Sequence, residues 1–429
     1  MLDAKKNKGV PQRYLGNSNV RWGTFDLSDL AEMKFEPHEE ERYGLRPGDL
    51  VVCEGGEPGR CAIWTGPVGM KVQKALHRIR SKETLDNHYL FYWFCHANKV
   101  GLLEPYFTGT TIKHLTGKAI AALEVPLPPI EVQRAMVDAL KSLDDRITLL
   151  RETNATLEAI AQAMFKSWFV DFDPVRAKMK GRAPEGMDEA TAALFPDALE
   201  ESELGWVPKG WQVCAVEDFA ERVGMGPFGS NIKVETFVPS GVPVISGQHL
   251  KQLLVEDNTF NFITPEHAQR LVKSSVQTGD VIFTHAGSIG QVSLLHKDAA
   301  FPSYVLSQRQ FFLRCNSTLM TPEWVAHYFK SPAGQHQLLA NTSQVGVPSI
   351  ARPVSYLRSI RLVTPPPELS RKFGDVSGAM NDCVMANRSQ LTTLSTLRDT
   401  LLPRLISGQL RLPEAEATTE AALGGALQA

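Results

Sequence analysis

Gly224, Gly226 and Gly229 lie in GMGPFG with the G-x-G-x-x-G spacing that can cradle a pyrophosphate. That chemistry needs a strand before the glycines and a helix after them, with the helix N-terminus facing the phosphate. VEDFAERV ahead of the motif reads as helical, Pro227 interrupts it, and VETFVPSG behind it cannot supply a long helix. The segment is therefore expected to be a turn rather than a dinucleotide or S-adenosylmethionine loop. Gly117-Lys118 lacks the glycine loop of a Walker A sequence, and no Asn-Pro-Pro-aromatic motif of an amino-methyltransferase occurs. His285 and Ser288 are neighbours without a third group to orient them, which a nucleophile requires. His77, His88, His96 and His114 show no ligand spacing, and none of the six cysteines stands in a CxxC pair. No catalytic, cofactor-binding or metal-ligating set is expected in this chain.

Binding remains. The net charge is −2, so charge that meets a polyanion must be gathered locally. One such gathering is Lys71, Lys74, Arg78, Arg80 and Lys82 around His77, which reads equally as a solvated strand edge or a phosphate-contacting surface. Hydrophobic residues make up 43% of the 429 and charged residues 21%, a folded-protein composition at a length that calls for more than one domain. Free thiols suit a reducing compartment. With no signal-peptide pattern and no apolar run long enough for a membrane, a cytoplasmic protein is expected.

The elements that would position binding residues come in two copies. GDLVVCEGGEPG at 48–59 recurs as GDVIFTHAGSIG at 279–290, an offset of 231. Each reads as a turn, a short apolar strand and a glycine-rich turn. VPLPPIEVQR at 125–134 recurs as LVTPPPELSR at 362–371, and ATLEAIAQAMFKSWF at 155–169 as TTLSTLRDTLLPRLI at 392–406, both offset by 237. Ser370 stands where the first copy has Gln133, so the pattern is degraded there. The order is domain, helix, linker, domain, helix: 1–128, 129–170, 171–205, 206–365 and 366–407, with a disordered tail at 408–429. The mixed Pro, Gly and charge of the linker place it on the surface. The first domain is expected to be N-terminally short, because nothing precedes Gly48 to match roughly 206–231. Two polar loops precede the last strand of each copy, TGTTIKHLT with Thr110, Thr111, Lys113 and His114, and SQVGVPSIARP with Gln344, Ser349 and Arg352. Loops on a rigid scaffold are where recognition usually sits.

Heptad spacing marks the helices. Met136, Leu143, Leu150, Leu157 and Met164 fill one seam position, and Leu140, Ile147, Ala161 and Trp168 the other, interrupted only by Asn154. In the second helix Phe373, Met380, Leu394 and Leu401, with Val384, Leu391 and Leu405, repeat the seam. Ser377 and Arg398 weaken it and Asn387 interrupts it. Two copies related by a pseudo-two-fold axis need antiparallel helices. A register whose facing residue numbers sum to 541 sets Asn154 against Asn387, Leu150 against Leu391, Leu157 against Val384, Trp168 against Phe373 and Met136 against Leu405. An Asn–Asn pair would satisfy both amides and fix that register.

LPPIEVQ at 127–133, FKSWFVDFDPVRAK at 165–178, ELGWVPKGW at 203–211 and LLPRLISGQL at 401–410, in this order, resemble the specificity subunits of Type I restriction–modification enzymes over nearly the whole chain. The resemblance implies a mixed α/β (α+β) fold with two target-recognition domains, one per DNA half-site, separated by two long antiparallel helices. It implies double-stranded DNA, two methyltransferase subunits and motor-nuclease subunits as partners. S-adenosylmethionine, ATP and Mg would be bound by those partners. It also places GMGPFG in a domain that meets DNA, which makes Ser230, Asn231 and Lys233 candidate contacts, since Asn can read adenine and Lys can read guanine or grip phosphate. With these stand Gln344, Arg352, Lys74, Arg78, Lys113 and His114. Two alternatives are a protein adaptor that does not touch DNA and a fragment of a fused restriction enzyme, the latter requiring cofactor and nuclease motifs that the sequence lacks.

Overall fold

The computed structural model describes residues 8–229, 231–257, 259–343, 346–410 and 412–425. The chain forms two compact units, Met1–Leu150 with Gln390–Ala429, and Arg151–Ser389. Two 40-residue helices, Ile130–Phe169 and Pro367–Ile406, contribute to both. They begin at the proline clusters, where the fixed φ suits a first helical turn but cannot be continued backwards. The second ends at Gly408, whose φ of +72° lets the N–H groups of Gly408 and Leu410 turn back onto the carbonyls of Leu405 and Arg404, each at 3.0 Å. Among the described residues no helix is long and apolar enough to cross a membrane.

In the first unit β1 (Val10–Leu15), β2 (Ala31–Phe35), β3 (Leu50–Cys53), β4 (Cys61–Ile63), β5 (Lys71–Val72) and β6 (Leu76–Ile79) form two sheets ordered β2-β1-β5 and β4-β3-β6. A module helix, Asn87–Lys99, buries Tyr89, Leu90, Trp93 and Phe94 against Leu50, Val52, Leu140, Leu143, Leu394 and Leu401. The second unit adds β7 (Leu199–Ser202), β8 (Gly205–Pro208), β9 (Gln212–Ala215), β10 (Ala220–Met225), β11 (Val242–Ile245), β12 (Asn261–Ile263) and β13 (Ser275–Val276). Next come β14 (Val281–Thr284), β15 (Val292–Leu294), β16 (Tyr304–Leu306), β17 (Gln310–Cys315), β18 (Thr342–Ser343), β19 (Ser349–Ile350) and β20 (Arg361–Thr364). Its two main sheets run β10-β17-β14-β15 and β12-β11-β16-β13. β11 pairs parallel with β16 as β1 does with β5, and β14 pairs with β15 as β3 does with β4. LVVC and VIFT are buried at all four positions, which explains their unbroken apolar runs.

The repeated Gly-Asp is a structural pin. Asp49 accepts from the Arg46 N–H at 2.8 Å and from both sides of the Arg80 guanidinium at 2.7 Å. Asp280 accepts from the Gln277 N–H at 2.8 Å and from Arg314 at 2.7 and 2.8 Å. Both carboxylates are buried, a placement that is stable only where the charge is answered by donors.

Each module helix docks on the long helices through polar groups as well as packing. Gln133 is fully buried; its Oε1 accepts from the Asp86 N–H at 2.9 Å, and its Nε2 donates to the carbonyls of Thr84 (2.9 Å) and Pro128 (2.8 Å). Asp86 caps the module helix by accepting from the His88 and Tyr89 N–H groups. Ser370 does the corresponding work in the second unit: its Oγ accepts at 3.0 Å from the N–H of Thr321, which caps Pro322–Lys330. The degraded pattern at Ser370 thus keeps its function with a shorter side chain. One turn further, Tyr92 donates to Asp144 at 2.7 Å, and Arg398 meets the same carboxylate at 2.8 Å. The corresponding His327 lies 3.0 Å from both Gln162 and Ser377. Of the breaks in the predicted seam, Ser377 therefore docks a module through His327, and Arg398 braces the Asp144 carboxylate that holds Tyr92.

The helices are antiparallel in each unit, in the predicted register. Asn387 Nδ2 donates to Asn154 Oδ1 at 2.8 Å, and the Trp168 and Phe373 rings lie 6.3 Å apart. Leu157 and Val384 share one core, and Leu150, Leu391, Met136 and Leu405 share another. The heptad reading overlooked Phe165 and Phe169, which pack on Trp324 of the module and on Phe373 of the seam together, because the helix serves a module as well as its partner helix.

Other expectations differ from the structure. The tail is not without structure: Leu412–Gly425 is helical, and Leu410 and Ala415 are buried in the first unit's core. The linker is not purely superficial, since Phe172, Val175 and Phe195 are buried in the second unit. VEDF is helical, but AERVGM after it is β10, held by its ladder with β17. β10 runs into the first two residues of GMGPFG, and among the described residues the next element is only a short 3-10 turn at Val234–Thr236, which offers no long helix to follow the glycines. In the second unit β9 pairs with β20, and Thr364 is 8% exposed. Among the described residues the matching stretch around Val125–Leu127 has no strand partner, Leu127 is 57% exposed, and a groove of about 400 Å³ opens between Ile79, Leu90, Ile120 and Val125.

The Asn pair and the buried His327 each give a measurable consequence in the full chain. Asn154→Leu leaves the Asn387 amide without its partner, so it should gain less than about 1 kcal/mol in urea unfolding, whereas the double change to Leu should gain more. A single variant as stable as the double would contradict the pair. His327 is buried, and that burial, with Lys330 nearby, lowers its pKa from 6.5 to about 3. The folded state then keeps the ring neutral while the unfolded chain takes up a proton below 6.5. Its stabilisation is full above that pH and is lost as pH falls towards 3. Between pH 7 and 5 the native chain should lose about 2 kcal/mol more than His327→Gln; equal losses would contradict this.

Candidate nucleic-acid interface

Each unit brings three loops together at one edge. The first loop is the glycine turn between β3 and β4, matched by the one between β14 and β15. Gly59 has a φ of +91°, and a side chain there would meet Leu103 at 2.6 Å; Gly290, at +83°, would meet Gln335 at 2.7 Å. The second is the turn between β5 and β6, matched by the one between β16 and β17. It is fastened by the Glu54 N–H to the Ala75 carbonyl (3.0 Å) and, in the second unit, by the His285 N–H to the Arg309 carbonyl (2.9 Å). The third is a hairpin. Thr108 and His114 exchange N–H···O bonds at 2.9 and 2.8 Å, and β18 pairs with β19. The Leu115 N–H then donates to the Glu54 carbonyl at 2.7 Å, as the Ile350 N–H does to the His285 carbonyl at 2.8 Å.

The predicted residues divide sharply on this frame. Lys74, in the second loop, is exposed. Lys113, on the hairpin, is exposed over the Phe107 ring at 5.6 Å, and His114 lies against Gly55 of the glycine turn. These three share the first unit's loop cluster. Arg78 does not: its guanidinium donates to the Gly44 carbonyl at 2.7 Å. Two more of the basic stretch are likewise committed inside the fold, Lys71 to Glu40 and Arg80 to Asp49. His77 bonds the Leu115 carbonyl at 3.0 Å.

In the second unit Asn231 is exposed, its Nδ2 donating to the Phe228 carbonyl at 2.5 Å and its own carbonyl held by His267 at 2.8 Å. Gln308 ties this segment to the second loop through the carbonyls of Gly229 and Ile232. Lys233 is exposed two residues on. Arg352 is exposed at a left-handed φ of +48°, a conformation that costs an arginine free energy and recurs at functional loops. Ser230 and Gln344 lie outside the described residues. Gln308 and Arg309 were missed from sequence. Extending the repeat would have found them, because Lys74 falls on Gln308 at an offset of 234, with the same backbone bonds on either side. Burial pulls the His285 pKa down, which keeps the ring neutral while it bonds the Gln308 carbonyl.

Among the described residues His296, Asp298 and Asp382 approach as three metal ligands would. Lys297 already meets Asp382 at 2.9 Å, so the group reads as an ion-pair network.

A family model described as the Type I restriction modification DNA specificity domain matches residues 39–159. The specificity subunit of the Type I restriction enzyme HindI of Haemophilus influenzae is 26% identical over 343 residues, covering 70% of this chain and 72% of that one. The MjaIX specificity subunit of Methanocaldococcus jannaschii is 22% identical over 383 residues, covering 86% and 78%. The chain is similar over most of its length to Type I restriction enzyme specificity subunits. The S subunit of a Type I system from M. genitalium shares the fold, with a TM-score of 0.53 and 15% identity over 94% of this chain and 91% of that one.

Proposed function

We propose that each unit of this specificity subunit reads one half of a bipartite, asymmetric DNA site with its three-loop edge. The observation that carries this is the recurrence of one loop frame bearing different residues: Lys74, Lys113 and His114 in one unit, Asn231, Gln308, Arg309 and Arg352 in the other. A shared frame with unlike side chains suits readers of unlike sequences, because base-edge contacts specify while phosphate contacts position. Lys74 and Lys113 suit phosphate, and the exposed Arg309 and Arg352 suit phosphate or guanine; the amides of Asn231 and Gln308 spend N–H groups on loop carbonyls and keep an oxygen that can accept from a base. Ser230 and Gln344 belong to the same loops by sequence. The two methyltransferase subunits and the motor-nuclease subunits dock elsewhere on the chain and bring S-adenosylmethionine, ATP and Mg with them. The partner methyltransferase reaches its adenine only once that base leaves the stack, so this subunit holds the duplex for chemistry done by another chain.

Methylome sequencing of a host carrying the complex should return a motif of two unlike parts; a continuous palindrome would contradict the proposal. In bandshifts of the chain with its methyltransferase partner, Lys74→Ala or Lys113→Ala should each reduce the slope of log affinity against log salt by about 1. Absence of DNA binding at every salt concentration would favour the adaptor reading.

A further inference from the structure

The hairpin of each unit ends in an exposed branched aliphatic side chain. Ile112 is 62% exposed and Val347 is 58% exposed. Each stands three residues before the residue that fastens the hairpin to the glycine turn, Leu115 on the Glu54 carbonyl and Ile350 on the His285 carbonyl. Ile112 and Val347 therefore correspond in position. A left-handed glycine lies close to each, at different places in the two hairpins: Gly109, at φ +93°, closes onto the Ile112 carbonyl, which a side chain would strike at 2.3 Å, and Gly346, at φ +80°, directly precedes Val347. A single exposed aliphatic residue needs no explanation. Recurrence at one position, in hairpins whose other residues differ, does.

The surroundings name the occupant. Lys113 adjoins Ile112; Arg352 stands five residues beyond Val347, and Arg309 lies against Gly287, whose N–H donates to the neighbouring Pro348 carbonyl at 3.0 Å. An apolar tip among cations fits a surface with anionic walls and an apolar floor. The major groove of B-DNA is such a surface: it is wide enough for a two-stranded ribbon, phosphates line it, and the 5-methyl group of thymine is its apolar feature.

We propose that Ile112 and Val347 each pack on a thymine methyl group in the major groove, giving each module one apolar base contact in its own half-site. This rests on the reading of each unit as a half-site reader. The test takes the complex with its methyltransferase and the site its methylome defines. Each thymine of the site is replaced in turn by deoxyuridine, which removes the methyl group and keeps the pairing. One thymine in each half should be sensitive, its replacement raising Kd about threefold to tenfold, as the loss of one buried methyl group would. Ile112→Ala should abolish the sensitivity in one half and leave the other half intact, and Val347→Ala should do the reverse. Binding that ignores uridine everywhere would overturn this contact while leaving the half-site reading standing. So would a half-site without thymine, or 2-aminopurine fluorescence showing that the two side chains unstack a base step instead. Absence of any DNA binding would overturn the half-site reading and this contact together.

Discussion

A buried polar side chain that must be satisfied, Gln133 in one unit and Ser370 in the other, holds each module to the helices. Gln133 has no exposure and spends its whole side chain on the backbone of Thr84, Asp86 and Pro128. Inside a protein such a group fixes geometry because leaving any of its bonds unmade is expensive. The bond to Asp86 sets where the module helix starts. The buried face of that helix sets the strands, and the strands set the glycine turn from which the loops project. Ser370 and Thr321 make the second unit's version with hydroxyls. What persists between the copies is the satisfied backbone, not the residue type.

The same logic separates frame from surface. Asp49 with Arg80 and Asp280 with Arg314 close the same corner in both units, and neither carboxylate reaches water. Tyr92 on Asp144 becomes His327 between Gln162 and Ser377. Outside the frame the loops share little beyond their glycines and their backbone bonds. A rigid scaffold with divergent loops allows a protein to change what it reads without changing how it folds.

Sequence disclosed the parts that local rules control. Proline clusters mark helix starts, positive-φ glycines mark the turns, and a lone Asn in each apolar seam marks the register; Asn154 and Asn387 meet as the spacing required. It concealed what distant partners decide. Arg78 and Arg80 looked available for phosphate, but Gly44 and Asp49, more than thirty residues away, already hold them. AERV, the second half of VEDFAERV, reads as helix, yet its ladder with β17 makes it a strand. Phe165 and Phe169 escape a two-position seam because they fill the space between a module and the partner helix, on Trp324 and Phe373. Gln308 and Arg309 were legible in principle, but only after the offset between copies had been traced past the glycine turn, where it changes from 231 to 234.

We propose that the two modules read DNA independently on a common frame. Replacing residues 206–365 with the corresponding module of another family member, while keeping both long helices, tests it most directly when the methylation motif is determined before and after. One half of the motif should change and the other half stay the same. A motif altered in both halves, or in neither, would contradict it.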